Sequence, residues 1–242
     1  MKQAHTALPW TYYAPQFAPL LVYFLARSSA GILPGAHADY WAYILTIPAV
    51  TATLLFFRKE YSELSWKGLR TPDWILAVGV GFLGIVVWIL PYHLAPELMH
   101  RVGLSNLLAA VGLGSGSVDA SMDPSALNGW FKGLFLVARV TGAVVLIPFA
   151  EELFHRSGVM RLVQRPDYRA ESIGRYTPAS LAIGLAIFAL SHEEWIVATV
   201  WGAMICLLLY RTKRLETCVL AHAVSNLLLA AYVLHQGAWE LW

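Results

Sequence analysis

Polar and ionisable side chains interrupt three strongly apolar stretches in the second half of the chain. They include glutamates, histidines, an arginine and an asparagine, and the six of interest are Glu151, Glu152, Arg156, His192, His222 and Asn226. A carboxylate beside a histidine can activate a water molecule, while a second histidine and an amide can donate hydrogen bonds to a developing oxyanion. These groups predict hydrolysis of a peptide bond without a covalent intermediate, provided that they meet in one cavity.

The two adjacent glutamates have different surroundings on a helix. Glu152 and Arg156 are four residues apart in the favourable acid-before-base order, which predicts an ion pair. Glu151 lies on the neighbouring stripe with His155, about 100 degrees away, and has no arginine partner on its own helix. We therefore expect Glu151 to be the general base and Glu152 to have a structural role. In the simpler alternative, both glutamates only neutralise Arg156 and Arg139.

The composition places these residues in a membrane protein. Of the 242 residues, 58% are apolar and 13% are charged, and the mean hydropathy is +0.57. Too little polar surface remains for a water-soluble globule, and the long apolar runs predict helices rather than barrel strands. The net charge of +2 disfavours a nucleic-acid-binding protein. Cys206 and Cys218 lie in or beside apolar stretches, so we expect buried thiols and no disulfide framework.

The apolar runs predict an all-α, multispan bundle of about seven transmembrane helices around a polar cavity, since a span needs about 20 mostly apolar residues. The expected ranges are 15–33, 40–57, 73–95, 130–160, 177–192, 195–210 and 216–235. The start of the chain lacks the basic residues, short apolar core and small-residue site of a cleaved signal peptide. Its aromatic residues Trp10, Tyr12 and Tyr13 are expected at the membrane interface.

Lysines and arginines accumulate on alternate connections. Twelve of the 17 precede the first span or follow the second, fourth and sixth spans. Because cytoplasmic loops retain basic residues, we expect the amino terminus inside the cell and the carboxyl terminus outside. The stretch 161–177 is then a cytoplasmic loop or surface helix, and 96–129 is an external loop whose GLGSGS run indicates a flexible linker. On this count His192 lies nearer the outside than Glu151 and His222, which a tilted or unwound fifth helix would reconcile.

Other interpretations of the polar groups have weaker support. Histidines and a glutamate can ligate zinc, but the zincin motif H-E-x-x-H is absent. Acyl-enzyme chemistry needs a nucleophile, and no G-x-S-x-G motif adjoins the histidines. A small-solute transporter would accommodate buried charges, but the chain has no visible inverted repeat. We therefore expect neither a metal nor a cofactor, with zinc as the mechanistic alternative.

The three motifs, in this order, resemble those of the CAAX protease and bacteriocin-processing family, also called the type II CAAX prenyl endopeptidase or Abi family. The motifs are Glu151-Glu152-x-x-x-Arg156, Phe188-x-x-x-His192 and His222-x-x-x-Asn226. The chain is also similar to the bacterial subgroup associated with the exosortase system for PEP-CTERM proteins. The motif-bearing resemblance covers about 130–235, and His155 lies outside the motifs.

The resemblance implies an all-helical intramembrane protease of the glutamate type, with a cavity that opens to the cytoplasmic side and to lipid. It implies that Glu151 and His192 activate water, that His222 and Asn226 stabilise the oxyanion, and that the Glu152 and Arg156 pair supports the site. It does not imply a prenylated substrate or a particular oligomeric state.

Domain organisation, partners and location follow as expectations. We expect a single integral membrane domain over 1–242, with three spans and the external loop in 1–129 and the motif-bearing catalytic helices in 130–235. The expected partners are a membrane-associated peptide or protein substrate and the lipid bilayer, in a bacterial inner membrane, and no nucleic acid. The alternative is a non-catalytic membrane partner, a bacteriocin self-immunity or exosortase accessory protein, that uses the same cavity only for binding.

Overall fold

Helices make up the architecture of this protein. The computed structural model describes residues 8–110 and 122–242. Within these ranges the chain forms nine α-helices and no strand, which confirms the all-α class. The helices are α1 Trp10–Ser28, α2 Ala38–Phe56, α3 Thr71–Leu94, α4 Pro96–Arg101, α5 Leu104–Ala110, α6 Gly129–Leu162, α7 Pro178–Ala189, α8 Trp195–Thr212 and α9 Leu215–Gln236.

Seven of these helices correspond to the expected spans. Five of them, α2, α3, α6, α8 and α9, are long and apolar enough to cross a bilayer, so this is a multi-pass membrane protein. Helix α7 is apolar but has only 12 residues, about 18 Å at 1.5 Å per residue. Helix α1 begins at Trp10, five residues earlier than expected, because the extended Pro9 precedes it and Pro15 is accommodated inside the helix.

The loops that carry the basic residues meet at one end of the bundle, called here the basic end. The Arg169 guanidinium lies 2.9 Å from a Glu60 carboxylate oxygen, which joins the connection after α6 to the connection after α2. Arg214, after α8, donates a hydrogen bond of 2.5 Å to the carbonyl of Ser65. The grouping of these loops agrees with the alternation of Lys and Arg in the sequence.

Helices α4 and α5 and the turn 190–194 lie together at the opposite end. The amide of Leu104 donates to the carbonyl of Glu193 over 2.9 Å, and the Trp195 indole donates to the carbonyl of Val102 over 2.8 Å. The expected loop over 96–129 contains two short helices in its described part 96–110, and these contacts hold them against the turn. The GLGSGS run lies outside the described residues.

A buried polar cluster ties α1 and α6 to the connection after α2. A nitrogen of Arg161 lies 3.1 Å from the Glu63 carboxylate, and the two side chains are 6% and 5% exposed. The same carboxylate accepts a hydrogen bond from Gln16 over 2.9 Å and another from Ser157. A buried charge pair of this kind is tolerated because its remaining hydrogen-bonding positions are occupied. The cluster therefore anchors the basic-end half of α6.

Two glycines let α3 approach α8 and α9 closely. A Cβ atom on Gly81 would lie 2.8 Å from the carbonyl oxygen of Ala221, and one on Gly84 would lie 2.4 Å from the Trp201 ring. Any larger side chain would therefore push α3 away from α9, the helix that carries His222 and Asn226. Small residues at such crossings are a common feature of membrane helices.

Replacing Gly81 with alanine is expected to lower the free energy of unfolding by about 1–3 kcal/mol, because the added methyl group meets the backbone of α9. Gly79→Ala is the matched control on the same helix, where a Cβ meets nothing within 4 Å and alanine favours the helix. Unfolding in detergent micelles, followed by circular dichroism, measures both. The packing argument fails if Gly81→Ala is as stable as Gly79→Ala.

Candidate active site

A cavity of about 660 Å³ lies inside the bundle and brings the three motifs together. Its lining includes Glu151 of α6, His192 in the turn after α7, and His222 and Asn226 of α9. These four side chains come from three separate segments of the chain. Convergence of polar groups on a cavity inside a membrane protein is the pattern of a functional site, because each group is costly at bilayer depth.

Glu152 lies behind the cavity and bonds to two partners at once. Its carboxylate is 3.3 Å from Nε of Arg156 and 2.9 Å from Nδ1 of His222. Glu152 is fully buried, and Arg156 and His222 are 2% and 4% exposed. The carboxylate can only accept, so Nδ1 of His222 carries the proton that it shares with Glu152. Glu152 thus neutralises Arg156 and orients His222.

Glu151 differs from its neighbour in having little to bond to. Its Oε2 atom lies 3.9 Å from Nε2 of His222, too far for a hydrogen bond, and has no hydrogen-bond partner among the described residues. The gap between the two atoms is the kind of separation that a bridging water can span. Glu151, with its side chain 13% exposed, is thus the one of the two adjacent glutamates that lines the cavity.

His192 lies beyond the end of α7, in the turn 190–194. Its Nδ1 atom is 2.8 Å from the Phe188 carbonyl oxygen, and the Phe188 ring stacks at a tilt with its centroid 4.6 Å away. Since a carbonyl only accepts, Nδ1 carries the proton and Nε2 has a free lone pair. Helix α7 thus ends at Ala189, three residues before His192.

Asn226 is held by a π-helical segment of α6. The helix is interrupted at Gly142–Leu146 and again at Leu153–Val159. Pro148 has no amide hydrogen to donate toward the carbonyl of Val144, which accounts for the first interruption. The nearby carbonyl of Ala143 accepts a hydrogen bond of 2.8 Å from the Asn226 side chain, which leaves that amide a second N–H.

The structure contradicts the alternative in which both glutamates neutralise arginines. Arg139 has no carboxylate oxygen within 4 Å among the described residues; instead its guanidinium lies 4.7 Å from the Tyr43 ring centroid and 5.1 Å from that of Trp242. His155, for which the motifs gave no role, is 2% exposed and packs against the Phe188 ring at 5.1 Å. It does not line the cavity.

The cavity extends toward the end of the bundle opposite the basic end. Its lining includes His100 and Ser105 of α4 and α5, Glu193, and Trp242. An amino terminus inside the cell and a cavity open to the cytoplasm are therefore incompatible. Basic loops on the cytoplasmic side would place this opening on the other side of the membrane. The sequence also missed α4 and α5 as lining, since neither carries a motif.

The described part of the chain contains no preformed set of metal ligands. No group of three or more His, Cys, Asp or Glu side chains there is placed to hold a metal ion. Cys206 and Cys218 are both free and buried, as expected, and the Cys206 sulfur lies 3.9 Å from that of Met160. The functional groups that line the cavity include carboxylate, imidazole and amide groups.

Glu152→Gln is expected to destabilise the protein by about 3–5 kcal/mol, because it leaves the buried Arg156 charge without its partner. The double variant Glu152→Gln with Arg156→Met removes both charges and should recover much of that loss. Unfolding in detergent micelles measures the cycle. Equal stability of the single variant and the parent protein would show that Glu152 does not neutralise Arg156.

Comparison with known proteins bears on the helices that carry these residues. Residues 133–228 match the family model described as Type II CAAX prenyl endopeptidase Rce1-like. No curated protein and no solved structure matches the chain. The match spans all six candidate residues and confirms the resemblance that the three motifs indicated. The family model does not distinguish subgroups, so the exosortase association stays a prediction. Residues 133–228 of the chain are therefore similar to the type II CAAX prenyl endopeptidase Rce1-like family.

Proposed function

We propose that this protein is an intramembrane endopeptidase that hydrolyses a peptide bond of a membrane-associated protein or peptide, using Glu151 to activate water. The observation that supports this most strongly is the shared cavity, in which Glu151, His192, His222 and Asn226 all take part. The Glu151 carboxylate oxygen that faces His222 has no hydrogen-bond partner among the described residues, so no protein donor competes for it with a water.

Glu151 and His192 activate the water. The Glu151 carboxylate accepts one proton of the water, and the free Nε2 lone pair of His192 accepts a hydrogen bond from the other. The Phe188 carbonyl supports this assignment, because its bond to Nδ1 fixes the tautomer of His192. The water oxygen is then directed at the carbonyl carbon of the substrate.

His222 and Asn226 stabilise the oxyanion that forms. With Nδ1 bonded to Glu152 over 2.9 Å, Nε2 of His222 donates only in the imidazolium form, for which the Glu152 carboxylate is the counter-ion. Asn226 contributes the side-chain N–H that is not used by Ala143. Removal of one such donor typically costs two to three orders of magnitude in turnover, about 10²–10³.

The reaction balances with these groups alone. The water oxygen bonds to the carbonyl carbon, Glu151 takes the proton, and the carbonyl oxygen becomes the oxyanion. Collapse of this tetrahedral intermediate breaks the C–N bond, and protonated Glu151 passes its proton to the leaving amine. Glu151 returns to its starting state, one product ends in a carboxylate and the other begins with an amine.

The substrate, in this proposal, reaches Glu151 from the membrane. The cavity lies within the bundle, and its lining continues to α4 and α5 at the end opposite the basic loops. A membrane-anchored peptide can therefore enter beside these short helices. A bacterial inner membrane is the proposed location. The comparison of a prenylated with an unmodified assay peptide tests whether the substrate carries a prenyl group.

Glu151→Gln is expected to lower turnover by at least about 10²-fold while the protein stays folded, because glutamine is nearly isosteric and cannot take a proton. Reconstituted protein in liposomes is assayed with two quenched fluorescent peptides, each ending in a CAAX sequence, one S-farnesylated and one not. Glu60→Gln, at the basic end, is the control and should keep full turnover. Unchanged turnover in Glu151→Gln would refute the assignment, and binding of peptides without cleavage by the parent protein would favour the non-catalytic alternative.

Chelators are expected to leave turnover unchanged, because the described residues offer no set of three metal ligands. Turnover of the better peptide is measured after prolonged incubation with 1,10-phenanthroline and with its non-chelating isomer 1,7-phenanthroline as the control. Selective loss with the 1,10 isomer, restored by added zinc, would replace the glutamate mechanism with the zinc alternative.

A further inference from the structure

Two arginines line the same cavity at some distance from Glu151 and have no part in the reaction described above. Arg27 comes from the end of α1 and Arg139 from α6. Their guanidinium groups lie 5.5 Å and 4.7 Å from the centroid of the same Tyr43 ring. The two elements thus place a pair of positive charges at one aromatic ring in the cavity wall.

Both guanidinium groups have donors to spare. A guanidinium carries five N–H donors. Arg27 gives one of them to the carbonyl of Asp39 over 3.0 Å, and neither arginine has a carboxylate oxygen within 4 Å among the described residues. Cations inside a membrane protein normally meet an anion or a ring of acceptors, because an unpaired charge there is costly. The pair is therefore built to receive an anion.

The acidic side chains of the cavity wall do not fill this role. Glu193 is held at the opposite end, where its carboxylate accepts bonds of 3.0 Å and 2.6 Å from the amide and hydroxyl of Ser105. Glu151 bonds to neither arginine. Glu194 and Glu240, which also line the cavity, have no oxygen within 4 Å of either arginine, so the two guanidinium groups are available to an anionic ligand.

The distance between the arginines and Glu151 suits a short peptide. Arg139 and Glu151 are twelve positions apart, and the π-helical segment Gly142–Leu146 inserts about one extra residue between them. Eleven α-helical steps turn the helix by about 1,100 degrees, within about 20 degrees of three full turns, so both side chains face the cavity. The rise of about 17 Å corresponds to roughly five residues of extended chain.

We propose that Arg27 and Arg139 form an anion subsite that binds a carboxylate of the peptide whose bond lies at Glu151, most simply the α-carboxylate at its carboxyl terminus. The inference rests on the proposed function, since it takes the occupant of the cavity to be a peptide. It adds a recognition element that lies outside the three motifs: the end of the substrate is held by two guanidinium groups while the bond to be cleaved lies about five residues away.

The test measures binding in the Glu151→Gln background, so that it does not depend on cleavage. The probe is the fluorescent S-farnesylated CAAX peptide in two forms, with a free carboxyl terminus and with a terminal amide. The free acid should bind about tenfold or more tightly than the amide, the usual worth of hydrogen bonds to a charged group. Adding Arg139→Gln or Arg27→Gln should bring the two affinities within about twofold. Arg58→Gln, exposed at the basic end, is the control and should keep the preference.

Further variants separate recognition from loss of structure. Arg139→Lys keeps the charge but loses the planar fork, and it should retain part of the preference for the free acid. Equal binding of acid and amide, absence of binding by either, or a preference that survives both glutamine variants would overturn the proposal. Binding is also compared in vesicles of phosphatidylglycerol and of phosphatidylcholine. If the glutamine variants change only the difference in binding between these two vesicles, the arginine pair binds lipid phosphate and the proposal is overturned.

The two proposals fail differently. Loss of the acid preference in the arginine variants, with turnover unaffected by Glu151→Gln, would keep the subsite and refute the catalytic role of Glu151. Loss of turnover in Glu151→Gln, with equal binding of acid and amide, would keep the proposed reaction and refute the subsite.

Discussion

The buried charge of Arg156 is the constraint on which the rest of the structure depends. A guanidinium that is 2% exposed inside a membrane bundle needs neighbours on every side, and it finds them on four helices. It pairs with Glu152 on α6, lies 4.4 Å from the Phe188 ring of α7, and is 3.5 Å from the Gly202 carbonyl of α8. Glu152 completes the set by accepting from His222 of α9. Neutralising this one cation therefore links α6 to α9, and the positions of the candidate residues depend on that packing.

The π-helical interruptions of α6 also join this helix to its neighbours, through backbone groups. A regular helix uses every carbonyl for its own ladder and offers nothing to a neighbour. The π-helical segment around Pro148 disturbs that ladder where α9 passes, and the Ala143 carbonyl there receives the amide of Asn226. The second segment, Leu153–Val159, contains Arg156 and Ser157, both of which bond to other elements. Irregular backbone occurs here only where protein groups satisfy it, as the membrane requires.

The sequence predicted much of this because the bilayer makes apolar runs and charges conspicuous. The long runs gave the spans, and the four-residue spacing gave the Glu152 and Arg156 pair. The sequence could not predict the π-helical segments, because every side of a lipid-facing helix is apolar and the spacing of apolar residues then carries little information. Pro148 was the one visible sign of an interruption. Nor could it show that His222 is the second partner of Glu152, because contacts between helices depend on their rotation. Helices α4 and α5 were missed because they are too short to produce a period.

The shortness of α7 explains how polar groups come to lie inside this membrane bundle. Twelve residues rise about 18 Å, against about 30 Å for the hydrocarbon core, so the polar turn 190–194 lies within the bundle rather than beyond it. Such a turn is stable in that position only if its polar groups are bonded or face a wet cavity. Glu193 is bonded by Ser105, and His192 faces the cavity. A longer α7 would carry His192 out of the site and close the wall with apolar side chains. The same short helix therefore supplies both the histidine and the polar wall that admits water.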